Sequence, residues 1–314
     1  MKMLKAVKTI MLFVAAVVIM GGVAMLLPII PVAAEPENAD IVMQLSPVKK
    51  HQKLEPGQKF EGSFNIYNLG AKAFDFRVYV KPLTVGADCT DQYNASSDYT
   101  QMTGWTTFEQ LNFYDLQPGD YQTVKFVVDV PKTAPEGGQY VVIFAEISSS
   151  NPNGETAIQV HKRVGYKLYA DLGGKNVKSG EVESVQQNQL FLQPPIESTS
   201  KIRNNGNVDF TAIDTYTVEG IDGKKMYIDV QEVDVLPDTC RIIDHEWEET
   251  PTFGLFKVST KIEFLDKTQF EETKWVLVVP VWFVFVMSVV VSLLIGVLVM
   301  RIKERRSGVL TSKK

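Results

Sequence analysis

Apolar residues recur at every second position through the middle of this chain. That period belongs to strands with one buried face. In Gln58–Tyr67, Phe60, Gly62, Phe64 and Ile66 share one face, while Glu61, Ser63 and Asn65 share the other. Phe74, Phe76, Val78 and Val80 alternate with Asp75, Arg77, Tyr79 and Lys81, and Val124, Phe126, Val128 and Val130 form a third row. Tyr140–Ile147 is apolar on both faces and reads as a central strand. Phe256, Val258, Thr260, Ile262 and Phe264 alternate through a late strand.

Turn chemistry separates these runs. Leu54-Glu55-Pro56-Gly57 and Leu116-Gln117-Pro118-Gly119 are one device used twice, and Asn68-Leu69-Gly70 turns the chain between strands. The second half repeats the grammar. Asn204-Asn205-Gly206 parallels Asn68-Leu69-Gly70, Leu236-Pro237-Asp238 parallels Leu-x-Pro-Gly, and Pro251-x-x-Gly254-x-Phe256 parallels Pro135-x-Gly137-Gly138-x-Tyr140. With no helical stripe of useful length between them, these segments predict an all-β protein of two tandem immunoglobulin-like β-sandwiches. Glycines at 173, 174 and 180 set the expected split, giving units of 35–172 and 173–273.

The two ends read differently. Lys2, Lys5 and Lys8 precede an uncharged run from Thr9 to Ile30, and Val32 and Ala34 suit signal peptidase, so residues 1–34 are expected to be a signal peptide. The alternative is an uncleaved anchor. Trp275 to Met300 carries no charge, and Arg301, Lys303, Arg305 and Arg306 follow it. This predicts one transmembrane helix over 275–300 and a cytoplasmic basic tail over 301–314. Residues 35–274 then face outward in a single-pass membrane protein.

Charge is partitioned accordingly. The chain has 32 basic and 37 acidic residues, and nine of the basic but one of the acidic residues lie in the first eight and last fourteen positions. The central span is therefore near −13 and repels nucleic acid. The two cysteines, Cys89 and Cys240, fall in different halves and fit no metal spacing. They are expected to be unpaired thiols, with an inter-domain disulfide as the alternative.

The phrases Leu54-x-Pro-Gly57, Phe64-Asn-Ile-Tyr-Asn-Leu-Gly70, Leu116-x-Pro-Gly119 and Val130-Pro-x-x-Ala-Pro-x-Gly-Gly-Gln-Tyr140 resemble the first domain of WxL-interacting proteins. Asn204-Asn-Gly206, Val235-Leu-Pro-Asp238, Trp247 and Pro251-x-x-Gly254, followed by a membrane helix and basic tail, resemble their membrane-proximal region. The resemblance implies a Gram-positive-type surface protein, with a peptidoglycan-binding first domain and a host-protein-binding second one. The opening stretch Met43–His51 departs from the family's usual Asn-Gln ending. Similar Pro-Gly and Asn-x-Gly phrases also occur in periplasmic pilus-chaperone-like domains.

Catalytic patterns do not emerge. His51, His161 and His245 are far apart, and His245-Glu246 lacks the second histidine of a zinc-protease helix. There is no Gly-x-Ser-x-Gly elbow and no Walker loop. Gly137-Gly138 leads into a strand, so it is not a phosphate loop. The segment from Asp88 to Phe108 is the candidate binding loop. It sets Asp88, Asp91, Asn94 and Asp98 beside Tyr93, Tyr99 and Trp105, a composition that suits partner docking or sugar stacking. The bland readings are a solvated polar insert, with Trp105 and Phe108 covering the core. Calcium ligation by its carboxylates would lack the EF-hand spacing.

The expected function is a non-enzymatic, membrane-anchored surface binding or adhesion protein that needs no cofactor. Its partner would be a cell-wall polymer or another surface protein. The alternative is an assembly or interaction subunit that docks a surface protein by strand addition. A carbohydrate-processing enzyme is the remote third reading.

Overall fold

A computed structural model describes residues 41–147 and 162–311. The expected signal segment and His161 lie outside the described residues. The fold is all-β, with one apolar helix at the C-terminal end.

The first half contains β1 (Met43–Ser46), β2 (Lys49–Lys53), β3 (Lys59–Asn68), β4 (Phe74–Pro82), β5 (Thr84–Val85), β6 (Asp91–Gln92), a 3₁₀ helix (Asp98–Gly104), β7 (Thr106–Phe108), β8 (Asn112–Leu116), β9 (Tyr121–Asp129), β10 (Gly138–Ile147) and β11 (Arg163–Asp171). The second contains β12 (Gly180–Gln187), β13 (Leu190–Phe191), β14 (Ile196–Asn204), β15 (Phe210–Glu219), β16 (Lys225–Val235), β17 (Cys240–Trp247), β18 (Gly254–Phe264) and β19 (Lys267–Val278), and ends in α1 (Val281–Thr311).

In the first half, the sheet β1-β3-β9-β7 faces the sheet β2-β11-β10-β4-β8. In the second, β12-β14-β17 faces β13-β19-β18-β15-β16. Both follow one plan, the immunoglobulin-type arrangement. The opening strand is shared between two sheets, and its second piece runs parallel to the last strand: β2 against β11, and β13 against β19.

Alternation fills the first core. Phe64, Ile66, Phe76, Val124, Phe126, Val128 and Ile143 are all buried in one cluster. Each such side chain contributes about 1.5–3 kcal/mol of burial. β10 is buried on both faces: Val141, Ile143 and Ala145 lie in the first core, while on the other face Tyr79 and Tyr93 cover Phe144, and Leu236 of the second sandwich packs at Tyr140.

The second core is built differently. Two apolar clusters occupy its ends, one around Trp247 and Phe256 and one around Ile243 and Phe264. The inward positions at the middle of the strands are polar: Ser198 and Ser200 on β14, Asp214 on β15, His245 on β17 and Thr260 on β18, all buried. His245 Nδ1 lies 2.8 Å from Asp229, and its Nε2 lies 3.5 Å from Asp214. The Tyr216 ring stacks on the imidazole.

The repeated turn phrases are structurally equivalent. The Asn68 amide donates to the carbonyls of Lys72 and Leu116, and its oxygen accepts from the Gly70 N–H. The Asn204 amide donates to Val208 and Val235, and its oxygen accepts from the Gly206 N–H. Gly119 holds the positive φ of +83° in the first corner, and Asp238 takes that place at +57° in the second. Gly138 and Gly254 each lie under the ring of an aromatic two residues on, Tyr140 or Phe256, where a Cβ would clash.

The C-terminal helix begins later than its charge-free run suggests. Trp275 to Val278 belong to β19, where Val276 and Val278 are buried while Trp275 and Leu277 point outward. The uncharged stretch is thus divided between a strand and a helix. Val281–Ile302 is the part long and apolar enough to cross a membrane.

Candidate functional site

The loop singled out in the sequence does not project freely. It folds as β6, the 3₁₀ helix and β7, with β5 just before it, elements with no counterpart in the second sandwich. Ser97 caps the 3₁₀ helix by accepting from the Tyr99 N–H. Met102 is fully buried, and Trp105 and Phe108 pack against the first core.

Cys89, Asp91 and Tyr99 of the loop join the two sandwiches. Cys89 is bonded to Cys240 across the junction, 151 residues apart (S–S 2.08 Å). The expectation of unpaired thiols is therefore corrected. A pairing at this separation is made by docking, which brings the tip of the β5–β6 turn onto the start of β17. Asp91 accepts from Lys167 Nζ at 2.6 Å and from Arg241 at 2.5 Å. Burial alone would raise the Asp91 pKa, but the Arg241 and Lys167 cations outweigh it and hold the carboxyl below its ordinary range. The Tyr99 hydroxyl donates to Asp238 at 2.9 Å, and Tyr93 sets its ring edge-on to Phe144. Asp88, Asn94 and Asp98 remain exposed. Asp88 is engaged with Thr90 inside its own turn, which lowers its pKa.

Sequence reasoning missed the other junction groups. Tyr140 and Tyr169 bury against Leu83 and Leu236 in an apolar patch between the sandwiches. His51 stacks on Tyr169, with ring centroids 4.5 Å apart, and its Nδ1 lies 3.3 Å from Asp209. The Asp209 hydrogen bond raises the His51 pKa against the opposing effect of burial. Lys49 donates to Asp234 at 2.7 Å. A cleft of about 620 Å³ opens beside these groups, and its cations Lys49, Lys167 and Arg241 are each already paired with Asp234 or Asp91. Among the described residues, no group of three or more His, Cys, Asp or Glu is arranged to hold a metal.

The clearest surface for a partner is the edge strand β16, which among the described residues pairs with β15 alone. The Asp234 carbonyl accepts from Arg241 Nε on the side away from β15. Alternation then places the N–H and C=O of Glu232, Val230 and Ile228 on that same open side. The side chains of Met226, Ile228 and Val230 form an apolar row on the outer sheet face, 46%, 49% and 53% exposed. The sequence signal was present but inverted. Tyr227, Asp229 and Gln231 face the polar centre of the sandwich, so the apolar row is turned outward.

These features define a double immunoglobulin-like sandwich, clamped at its junction by a disulfide and ion pairs and followed directly by an apolar helix. No protein-family model and no curated protein sequence matches the chain. Similar solved structures include the class 5 fimbriae chaperone CfaA, at 13% identity, 76% coverage of this chain, 100% of that chain and a TM-score of 0.38. The CsuC–CsuE chaperone–tip adhesion subunit pre-assembly complex of Acinetobacter baumannii shares 13% identity, covering 75% of this chain and 98% of that one, with a TM-score of 0.39. The E. coli chaperone DraB shares 12%, covering 76% and 97%, with a TM-score of 0.34. Likeness at this level does not carry the function of those proteins over to this chain.

Proposed function

We propose that this chain is a non-enzymatic, membrane-anchored interaction subunit that holds another surface protein by strand addition at β16. In this reading α1 crosses the membrane once, the basic residues from Arg301 onward stay inside, and both sandwiches lie outside. The observation that carries the reading is the open edge of β16. Past the irregularity at its start, its open side offers the N–H and C=O of Ile228, Val230 and Glu232, flanked by an exposed apolar row. Soluble proteins usually protect such an edge with charges, prolines or bulges. An added strand would satisfy the backbone groups and cover Ile228 and Val230 together.

The test is photo-crosslinking on intact cells from an unnatural residue at Met226. A discrete adduct with another surface protein is expected. The Ile228→Pro variant removes an N–H from the open side only, leaving the β15–β16 ladder intact, and the adduct should disappear. An adduct that persists in this variant would remove strand addition as the mechanism. Crosslinking to wall polymer alone would favour a wall-binding role over a protein partner.

A further inference from the structure

The connection from β19 to α1 consists of Val279 and Pro280. There is no spacer to lift the second sandwich away from the helix. The 22 residues from Val281 to Ile302 rise about 33 Å at 1.5 Å each, close to the roughly 30 Å of a bilayer's hydrocarbon core. With that stretch in lipid, the last turn of β19 meets the headgroups.

The loops at the end of the sandwich next to the helix carry exposed apolar side chains among their polar ones. Leu190 opens β13 and Leu192 follows it, Ile221 tips the β15–β16 turn, and Phe253 precedes β18. These four, with Leu255 and Leu277 in the register row above Val278, are between 38% and 76% exposed, Ile221 most of all. They are held in place. The Gly220 N–H bonds the Lys224 carbonyl across the Ile221 turn, the Val279 N–H bonds the Phe191 carbonyl, and the Phe253 ring lies 5.3 Å from that of Phe283 in the first helical turn. The opposite end of the same sandwich is the junction, where Leu236 is buried against Tyr140 and Tyr169 of the first sandwich. Trp275 stands one strand step above the apolar row and Trp282 just below the helix start, which is where indoles sit at a membrane boundary. Lys224 and Lys225 share this end with Glu248 and Glu249, so it carries no single-sign field and suits zwitterionic headgroups.

We infer that the membrane-proximal loops of the second sandwich are seated in the outer lipid interface, with Leu190, Leu192, Ile221 and Phe253 buried among headgroups and upper acyl chains. The inference rests on α1 spanning the bilayer. Six exposed apolar side chains gathered at one end, and continuous with a membrane helix, form the kind of patch that a lipid surface covers. The seat fixes the tilt of the sandwich over the membrane and keeps β16 at a set height.

Nitroxide depth measurements on the full chain in phosphatidylcholine nanodiscs test this. Both native cysteines are in the disulfide, so one added cysteine is labelled at a time. Labels at Ile221→Cys and Phe253→Cys should be more accessible to oxygen than to a water-soluble nickel chelate. A label at Val177→Cys, near the start of β12, should show the reverse. A label at Leu294→Cys reports on α1 itself. If Leu294 lies at bilayer depth while Ile221 and Phe253 read as fully aqueous, the seated collar is wrong and the spanning helix stands. If Leu294 reads as aqueous, both fall. These positions are exposed, and an unchanged thermal melt for each variant shows that the fold is kept.

Discussion

The Tyr140 hydroxyl on β10 donates to the Asp209 carboxylate at 3.0 Å and accepts from the Asp209 backbone N–H at 2.9 Å, so one phenol bonds the first sandwich to the second twice. Burial, followed by the Asp209 charge, pushes its pKa far up, and it stays a hydroxyl. Tyr140→Phe should cost about 2 kcal/mol, because it strips a charged acceptor and a backbone donor of one partner while leaving the ring packed. Denaturant unfolding measures this. A change below 0.5 kcal/mol, within the usual range of surface substitutions, would mean that water replaces the hydroxyl freely.

Loss of the disulfide is expected to matter. The bond closes a span of 151 residues, for which chain entropy sets a ceiling of about 5 kcal/mol, and measured effects are commonly about 2–4 kcal/mol. The Cys89→Ser/Cys240→Ser double variant should melt well below the parent under non-reducing conditions. An unchanged melting temperature would show that burial and ion pairs alone hold the junction.

Stability should depend on pH in two windows. Burial lowers the His245 pKa, but the nearby Asp214 carboxylate and the hydrogen bond with Asp229 outweigh it, so the folded value lies above the ordinary one; His51 is raised as well. A raised folded pKa contributes stability that is complete below about pH 6.5 and is lost as pH rises through the folded value. The melting temperature should therefore fall from pH 6 to pH 9, and fall less in the His51→Gln/His245→Gln double variant. Equal falls in the two proteins would count against the histidines. On the acid side Asp91 and Asp234, both held low, lose their contribution as pH drops below about 4.

The two corner asparagines should respond alike. Asn68→Ala and Asn204→Ala each leave two carbonyls and a glycine N–H without their partner, at about 2–3 kcal/mol apiece. Matching losses in calorimetry would support the structural repeat, while a neutral Asn204→Ala would argue that the second corner is held by other contacts.

Much of this architecture was legible because a strand's period is local. The rows through Phe64, Phe76 and Phe126 needed only their own neighbours, and Asn68 and Asn204 declare their corners through residues within four positions. Features that depend on docking were not legible. Cys89 meets Cys240 only once two separate sandwiches meet. Tyr93 and Tyr99 have the composition of a contact loop, and the structure spends them on the junction. Trp275 to Val278 is as uncharged as the helix that follows, and hydropathy alone does not separate a buried strand from a membrane span. β16 was not read as a strand at all, because the second core has a polar centre and its inward row there is Tyr227, Asp229, Gln231.

The short join between β19 and α1 also has a mechanical side. With α1 held in a bilayer, a pull on a bound partner reaches the anchor through Val278, along the axis of a strand flanked by β18 on one side and β13 on the other. The ladder with β18 runs from Phe264–Lys267 to Gly254–Val278, so its hydrogen bonds are loaded side by side in shear instead of being unzipped one after another. The tether is therefore stiff, and tension on it is shared across the whole length of the final strand.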